Sequence, residues 1–243
     1  MSQTELQGQV ALVTGAGRGI GRSIALALAR CGADVGLVAR TVGELAVVRS
    51  HVEALGRRAL VLPTDVAVEA DVRVAVGDLV AHYGRLDILV NNAGFGEFGP
   101  LEHTSVAQWD RMMAVNARGA FLFCRESIPH LRARDNGRIV NIASVVGHKG
   151  YVNQAAYSAS KHALVGMSKA LAREVQADGI RVHVISPGGV DTGLIGDARP
   201  DLDRSVLMSP DEVAEVVVFL VTRRGNAVID EIRMRRAAST PWD

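Results

Sequence analysis

Short runs of β-branched and aliphatic residues alternate with longer amphipathic runs along most of the chain. The short runs lie at residues 10–14, 35–39, 59–62, 88–91, 137–142, 181–186 and 227–232. The longer, helix-like runs lie at residues 20–31, 42–55, 68–83, 105–133, 155–178 and 210–222. Strand–helix alternation of this kind predicts a parallel sheet with helices on both faces. We therefore predict an α/β fold built on one doubly wound parallel sheet of about seven strands.

The length of the chain and the residues at its predicted helix ends fit one domain. With 243 residues the chain has the size of a single α/β domain, and no linker or repeat divides it. Apolar residues make up 48% of the chain and aromatic residues only 4%, which is typical of a buried aliphatic sheet. Ser105 and Ser209 stand at predicted helix starts, and glycines 32, 56, 84 and 179 follow predicted helices. We predict that residues 1–243 form a single domain.

Charge and cysteine content argue against several classes of function. The formal net charge is +1, which offers no positive footprint for nucleic acid or an anionic membrane. No apolar run reaches the roughly 18 residues of a membrane span, and we expect no signal peptide before the first strand. Cys31 and Cys124 lack metal-ligand spacing and are expected to be reduced, buried thiols. We expect a cytoplasmic protein with no metal site, nucleic-acid partner or membrane contact.

A glycine-rich segment joins the first predicted strand to the first predicted helix. It reads Thr14-Gly15-Ala16-Gly17-Arg18-Gly19-Ile20-Gly21. Glycines here permit a tight turn and a close approach of the backbone to a pyrophosphate, and the helix N-terminus offers free N–H groups to the anion. An ordinary glycine-rich turn is the alternative interpretation. The position between strand and helix favours a dinucleotide site.

The end of the second predicted strand indicates which dinucleotide binds. Sites that prefer NAD usually carry an Asp or Glu about 20 residues past the glycine loop, where it binds the ribose 2′-OH. Here that position holds Ala39, followed by Arg40, and Arg18 adds a second guanidinium from the loop. Because a guanidinium matches a phosphate in shape and charge, this pair favours NADP(H) over NAD(H). Two solvated surface arginines are the alternative.

Tyr157 and Lys161 form a candidate acid–base pair. They stand four residues apart, which is about one helical turn, so both side chains project from one helix face. A phenol has a reference pKa of about 10, and a neighbouring ammonium is expected to lower it. The phenol oxygen would then exchange a proton with an alcohol or a carbonyl. Ser144 ends the fifth predicted strand, where its hydroxyl would hold the substrate oxygen. A surface helix pair and a turn serine are the alternatives.

Taken together, these motifs resemble the short-chain dehydrogenase/reductase family. The resemblance covers about residues 8–221 and also includes Asp65-Val66, Asn91-Asn92-Ala93-Gly94, Asn116 and Pro187-Gly188. It implies a Rossmann-type oxidoreductase that moves a hydride between NAD(P) and a carbonyl or an alcohol. It also implies a homodimer or a homotetramer, in which helices 105–133 and 155–178 pair across a two-fold axis.

The resemblance implies roles for individual residues. The catalytic set would be Asn116, Ser144, Tyr157 and Lys161, with Asn116 helping to hold a water relay behind the lysine. Asp65 would accept a hydrogen bond from the adenine amino group, unless it is only a helix cap. The full cofactor-binding set would comprise Gly15, Gly17, Arg18, Gly19, Ile20, Gly21, Arg40, Asp65, Val66, Asn92, Ala93, Gly94, Tyr157, Lys161, Pro187, Gly188, Val190 and Thr192.

The implied substrate is a small carbonyl compound, free or bound to a carrier. Resemblance to the 3-oxoacyl-carrier-protein reductases favours a 3-oxoacyl thioester, while small ketones, sugars, polyols and 3-hydroxy acids remain open. Residues 193–208 contain Asp, Gly and Arg rather than a large apolar wall, which predicts a small or open pocket. Residues 225–234 keep a last strand but lack the family's frequent Asp-Gly-Gly ending, which puts the usual C-terminal subunit contact in question.

Three other functions are weaker interpretations of the same motifs. A non-catalytic cofactor sensor on this fold would be expected to have a degraded catalytic set, and here that set is complete. An epimerase or a dehydratase would need a larger C-terminal substrate domain. A serine hydrolase would need glycine two residues on either side of Ser144, but Ile142 and Val146 stand there.

Overall fold

A seven-stranded parallel sheet forms the centre of the molecule. The computed structural model describes residues 5–198 and 203–241. The strand order is β3-β2-β1-β4-β5-β6-β7, and every neighbouring pair runs parallel. The predicted α/β fold with one doubly wound sheet is therefore confirmed. The strands are β1 (Val10–Thr14), β2 (Asp34–Ala39), β3 (Ala59–Pro63), β4 (Ile88–Asn91), β5 (Arg138–Ile142), β6 (Arg181–Pro187) and β7 (Glu231–Met234).

Helices cover both faces of this sheet. Short 3₁₀ turns at Leu101–His103, Val145–Gly147, Gln176–Asp178 and Arg204–Val206 and a π-helical segment at Ala114–Arg118 complete the described elements. In residues 5–198 and 203–241, no helix is long and apolar enough to cross a membrane. The helices are α1 (Gly19–Arg30), α2 (Val42–Ala54), α3 (Glu69–Tyr83), α4 (Val106–Met113), α5 (Gly119–Arg132), α6 (Ala155–Glu174), α7 (Gly193–Ala198) and α8 (Pro210–Thr222).

The sheet is buried on both sides because successive strand residues face two different cores. Val13 of β1 packs in the core that contains α1, α2 and α8, where Ile24 and Val217 contribute. Its neighbour Leu12 packs in the opposite core, among residues of α3 and α5 such as Phe123. Strands buried in this way read as continuous apolar runs rather than alternating ones. This explains why aliphatic residues dominate the composition.

The helix ends follow the predicted chemistry. Ser105 and Ser209 are the N-caps of α4 and α8, and each forms a capping box with a residue three positions on, Gln108 and Glu212 respectively. Gly84 adopts a left-handed conformation with φ of 73° where α3 ends, as a C-terminal glycine commonly does. These predicted boundaries are confirmed.

Two of the predicted helices and the last strand need correction. The helix predicted at 105–133 is interrupted at Ala114–Arg118, and the helix predicted at 155–178 ends at Glu174. The last strand lies at Glu231–Met234 instead of 227–232. Contacts from β6 accompany this shift: the side chains of Arg181 and His183 donate to the carbonyls of Gly225 and Ile229, at 2.5 and 2.6 Å. Because these two carbonyls accept from side chains rather than from the backbone of β6, regular strand pairing begins later in the chain.

The strand order places a crevice at one point of the sheet. The chain reverses its winding direction at β1, which lies between β2 and β4. In open α/β sheets, ligands bind outside the carboxyl ends of the strands at such a switch point. The glycine-rich segment after β1 and the segment after β4 meet there.

Candidate active site

The glycine loop is packed too tightly for side chains at two positions. Gly15 has φ of +66°, and a Cβ atom placed on it would lie 2.8 Å from Asn92 Nδ2. A Cβ atom on Gly21 would lie only 2.1 Å from the carbonyl oxygen of Gly15. Both positions therefore require glycine, as a loop that cradles a phosphate does.

The N-terminus of α1 is suited to bind an anion. Its N-cap is Arg18, whose side chain makes no capping hydrogen bond, and its first turn contains no acidic residue. The N–H groups of Gly19 and Ile20 thus have no side-chain cap. Free N–H groups and the positive end of the helix dipole favour a phosphate at this place. These residues fit the pyrophosphate of a dinucleotide.

The residues predicted to choose the cofactor lie beside this loop. Ala39 ends β2, and Arg40 follows it on the surface. Arg18 is also exposed, and in the described part of the chain neither arginine takes part in an ion pair. Both guanidinium groups are therefore available to a phosphate.

The segment after β4 is fastened to β1. The Thr14 hydroxyl accepts hydrogen bonds from the N–H groups of Asn92 and Ala93, at 2.9 and 3.0 Å. The Asn92 side chain donates to the Thr14 carbonyl at 3.0 Å. On the other side of β4, Asn91 Nδ2 donates to Asn141 Oδ1 of β5 at 2.9 Å. The asparagine side chains therefore brace three neighbouring strands.

Asn116 lies in the π-helical segment between α4 and α5. It is 1% exposed, and its side-chain amide makes three hydrogen bonds. Oδ1 accepts from Phe95 N at 2.9 Å, while Nδ2 donates to Phe95 O at 2.8 Å and to Ser160 Oγ at 2.9 Å. The amide joins the loop after β4 to α6. The break in the long helix falls at this amide, and π segments of this kind frequently lie at functional sites.

Ser144 lies beside Tyr157. The Ser144 hydroxyl donates to the Pro187 carbonyl at 3.4 Å and is close enough to the Tyr157 phenol to lower its pKa. Tyr157 is 9% exposed, and burial raises its pKa to about 12, which the Ser144 hydroxyl offsets only in part. The phenol therefore holds its proton strongly.

Lys161 lies behind the tyrosine. Its Nζ donates to the Ile142 carbonyl at 3.0 Å and lies 5.9 Å from the centre of the Tyr157 ring. Burial lowers the pKa of Lys161 to about 8. The expectation that this ammonium lowers the pKa of Tyr157 is not met, because burial penalises the charged form of each group. A Cβ atom on Gly94 would lie 3.3 Å from Nζ, so the loop after β4 passes close to the lysine.

The segment after β6 crosses towards the glycine loop. Gly188 donates its N–H to the Met234 carbonyl at 2.8 Å, and Val190 forms a parallel bridge with Met208. Thr192 then reaches α1, since a Cβ atom on Gly19 would lie 3.3 Å from its Cγ2. The predicted cofactor residues of this segment and of the glycine loop therefore lie together. Of the predicted substrate segment 193–208, residues 199–202 lie outside the described residues.

Asp65 is partly buried and Val66 is buried. Asp65 Oδ1 accepts from the Ala67 N–H at 2.9 Å, so the carboxylate stabilises a local turn, and the N-cap of α3 is Val68 rather than Asp65. Val66 is buried, and its carbonyl would lie 3.0 Å from a Cβ atom on Gly119 of α5. One carboxylate oxygen of Asp65 is thus committed to the turn.

Sequence reasoning missed an aromatic wall beside the tyrosine. The Phe98 ring packs edge-on against the Tyr157 ring, with centroids 5.4 Å apart and planes at 74°. Met112, Val146 and Phe95 belong to the same apolar cluster. Loop residues such as Phe98 follow no periodic pattern. The only signal in the sequence was a neighbouring aromatic residue, Phe95, just after Gly94.

Comparison with known proteins agrees with this geometry. Residues 9–203 match the short chain dehydrogenase family. The chain is 35% identical over 233 residues to the cis-4-hydroxycyclohexanecarboxylate dehydrogenase of Sinomonas cyclohexanicum, covering 92% of this chain and 93% of the relative. It is 32% identical over 243 residues to the 3-oxoacyl-(acyl-carrier-protein) reductase of Thermotoga maritima, covering 93% and 96%.

A solved structure extends the comparison to three dimensions. The crystal structure of a metagenomic short-chain oxidoreductase in complex with NADP is similar, with a TM-score of 0.85 and 36% identity. The match covers 96% of this chain and 100% of that one. Fold, motif order and sequence similarity lead to one conclusion: this chain belongs to the short-chain dehydrogenase family and is an oxidoreductase.

Proposed function

We propose that this protein is an NADP(H)-dependent oxidoreductase that reduces a ketone to a secondary alcohol or, in the reverse direction, oxidises that alcohol to the ketone. One observation carries the proposal: the Ser144 hydroxyl, the Tyr157 phenol and the buried Lys161 lie together. This arrangement lies at the carboxyl edge of β5, next to a glycine loop suited to a dinucleotide. An acid, a hydrogen-bond donor for the substrate oxygen and a cation therefore meet in one crevice.

The proposed cofactor site combines the glycine loop with the segments after β2, β4 and β6. The N-terminus of α1 would bind the pyrophosphate, and Arg18 and Arg40 would bind the 2′-phosphate. Asn92, Ala93 and Gly94 would line the nicotinamide ribose, and Thr192 would lie near the pyrophosphate or the carboxamide. The NADP found in the similar metagenomic oxidoreductase supports this choice of cofactor.

The proposed chemistry divides between the cofactor and the chain. Bound NADPH would supply the hydride that reduces the carbonyl carbon. Ser144 would hold the carbonyl oxygen by a hydrogen bond, and Tyr157 would give its proton to that oxygen as negative charge develops there. The raised pKa of Tyr157 keeps it protonated at neutral pH, as a proton donor must be.

Lys161 and Asn116 would have supporting roles. The Lys161 ammonium would stabilise negative charge on Tyr157 after proton transfer and bind the nicotinamide ribose. Asn116 would hold the loop after β4 against α6 through Phe95 and Ser160. It would thereby position Tyr157 and the water relay behind the lysine. The aromatic wall at Phe98 would exclude water from the phenol.

For the substrate we propose a 3-oxoacyl thioester. The similar reductase of Thermotoga maritima supports this class. Small ketones, sugars, polyols and 3-hydroxy acids are alternatives. The similar cis-4-hydroxycyclohexanecarboxylate dehydrogenase of Sinomonas cyclohexanicum adds cyclic hydroxy acids to these alternatives. We further propose that residues 1–243 act as one catalytic domain and that the chain assembles as a homodimer or a homotetramer.

A substrate panel with matched tyrosine variants tests the proposal. Loss of NADPH absorbance would be followed with acetoacetyl-CoA, 4-oxocyclohexanecarboxylate and simple ketones. Tyr157→Phe should lower kcat by about 10²–10⁴-fold with cofactor affinity nearly intact. Tyr83→Phe is the control, because the Tyr83 hydroxyl is buried without a hydrogen-bond partner in the described structure.

Two outcomes would contradict the proposal in different ways. Near-wild-type turnover by Tyr157→Phe would show that Tyr157 is not the acid. Tight NADPH binding without turnover on any panel member would favour the non-catalytic cofactor sensor instead.

A further inference from the structure

Glu44 places a carboxylate on the glycine loop. It lies in the first turn of α2 and is half-buried. A Cβ atom placed on Gly17 would lie 2.7 Å from Glu44 Oε2 and 3.0 Å from Glu44 Cβ. The Glu44 side chain therefore rests directly against the loop backbone, one residue before Arg18. No feature of the sequence singled it out.

The charge of this carboxylate is not neutralised by a neighbour. Within residues 5–198 and 203–241, Glu44 takes part in no salt bridge, although Arg49 and Glu53 of the same helix pair with each other at 3.6 Å. Arg18 and Arg40, which flank the loop, also have no ion pair in that part of the chain. The region proposed for the 2′-phosphate thus contains two cations and one anion.

The carboxylate acts oppositely on the two forms of the cofactor. A phosphate monoester carries a charge of about −1.5 to −2 near neutral pH, so an adjacent carboxylate repels it. The ribose 2′-OH of the unphosphorylated cofactor is a hydrogen-bond donor, which a carboxylate accepts. Dinucleotide sites that choose NAD use an acidic residue in this way, but at the end of the second strand, where this chain has Ala39 and Arg40.

We propose that Glu44 is a specificity-determining residue that narrows the preference for NADP(H) and allows NAD(H) to bind. The inference rests on the proposed function. Arg18 and Arg40 favour the 2′-phosphate, while Glu44 on Gly17 opposes it and favours the free 2′-OH. The chain therefore binds both cofactors, with a smaller preference than its two arginines alone would produce.

Calorimetric titration with NADPH and with NADH tests this on the wild type and two neutralised variants. Glu44→Gln keeps the shape of the side chain and removes its charge. It should strengthen NADPH binding by about tenfold and weaken NADH binding by about threefold. Glu53→Gln removes the same charge from the same helix away from the loop and should leave both affinities within about twofold.

A second substitution separates specificity from helix stability. An acidic residue in a first helical turn also stabilises the helix. Glu44→Asp keeps the charge in that turn and withdraws the carboxylate from Gly17, so its ratio of NADPH to NADH affinity should lie between those of the wild type and Glu44→Gln. A role confined to helix stability would lower the Tm of Glu44→Gln without changing the ratio.

The outcomes distinguish this proposal from the proposed function. An unchanged affinity ratio in both Glu44 variants, with NADPH still bound by the wild type, overturns the role of Glu44 alone. A wild-type protein that binds neither cofactor defeats the proposed function and this inference together. A ratio that rises for Glu44→Gln but equally for Glu53→Gln also overturns it, since the effect would then be long-range charge.

Discussion

Replacing Asn116 with alanine should destabilise the protein strongly, because its side-chain amide hydrogen-bonds both to the loop at Phe95 and to Ser160 of α6. Three hydrogen bonds would be lost, two to the Phe95 backbone and one to the Ser160 hydroxyl. Each bond contributes about 0.5–1.5 kcal/mol, and buried partners left unsatisfied cost more. Because the Phe95 backbone is only part-buried, water can replace some of these contacts. We expect a loss of about 2–4 kcal/mol.

Thermal and urea unfolding at one protein concentration would measure this loss. For a chain of this length, about 1 kcal/mol shifts the Tm by about 2–4 °C, so Asn116→Ala should lower the Tm by about 5–15 °C. Asn226→Ala is the matched control: Asn226 is exposed in the loop before β7 and should change stability by less than about 0.5 kcal/mol.

A double-mutant cycle tests the hydrogen bond between Asn116 and Ser160 directly. Ser160 Oγ accepts from Asn116 Nδ2 and donates to the Tyr157 carbonyl at 2.7 Å. If these contacts form one network, Asn116→Ala and Ser160→Ala should show a coupling of at least about 0.5 kcal/mol. Losses that add independently, or a loss below about 1 kcal/mol for Asn116→Ala, would refute the stabilising role assigned to this amide.

Three further predictions follow from the charges and the fold. Since burial lowers the pKa of Lys161 to about 8, kcat for reduction should be level below that pH and fall above it; a pH–rate profile rising through pH 8 would contradict this. Burial opposes ionisation of Asp34, but hydrogen bonds from Arg58 and Arg57 outweigh it and hold its pKa below the ordinary 3.8. Its stabilising contribution should be present above pH 3.8 and be lost as the pH falls through the lowered pKa, so acid unfolding should shift less with pH in Asp34→Asn. Light scattering should give a mass of two or four chains of 25.8 kDa each, and the mass of a single chain would refute the proposed oligomer.

Features determined by nearby residues could be predicted from the sequence. The first six strands followed from aliphatic runs, and the N-caps Ser105 and Ser209 followed from a serine at each predicted helix start. The glycine loop was also predictable. Gly21 packs against the Gly15 carbonyl within the loop, and Gly15 packs against Asn92 in the segment after the adjacent strand β4. In each case the deciding interaction is short in sequence or fixed by strand order.

Features determined by distant contacts could not be predicted. The amide of Asn116, in the π segment, hydrogen-bonds to Phe95 and to Ser160, which lies 44 residues further along the chain. The start of β7 depends on Arg181 and His183 of another strand. Glu44 reaches Gly17 only once α2 has packed beside the loop. A single sequence does not contain the distances that decide these cases.

The pKa values of Tyr157 and Lys161 show why burial, rather than spacing, governs the proposed chemistry. Spacing alone predicted that the lysine would make the tyrosine more acidic. Burial instead raises the pKa of Tyr157 to about 12 and lowers that of Lys161 to about 8. The ammonium is then the stronger acid of the two, although free lysine and tyrosine are nearly equal. In the proposed mechanism, a Tyr157 that had given its proton to a substrate would therefore bind a new proton more strongly than Lys161 does. The same burial that opposes a phenolate at rest would thus favour restoration of the proton donor.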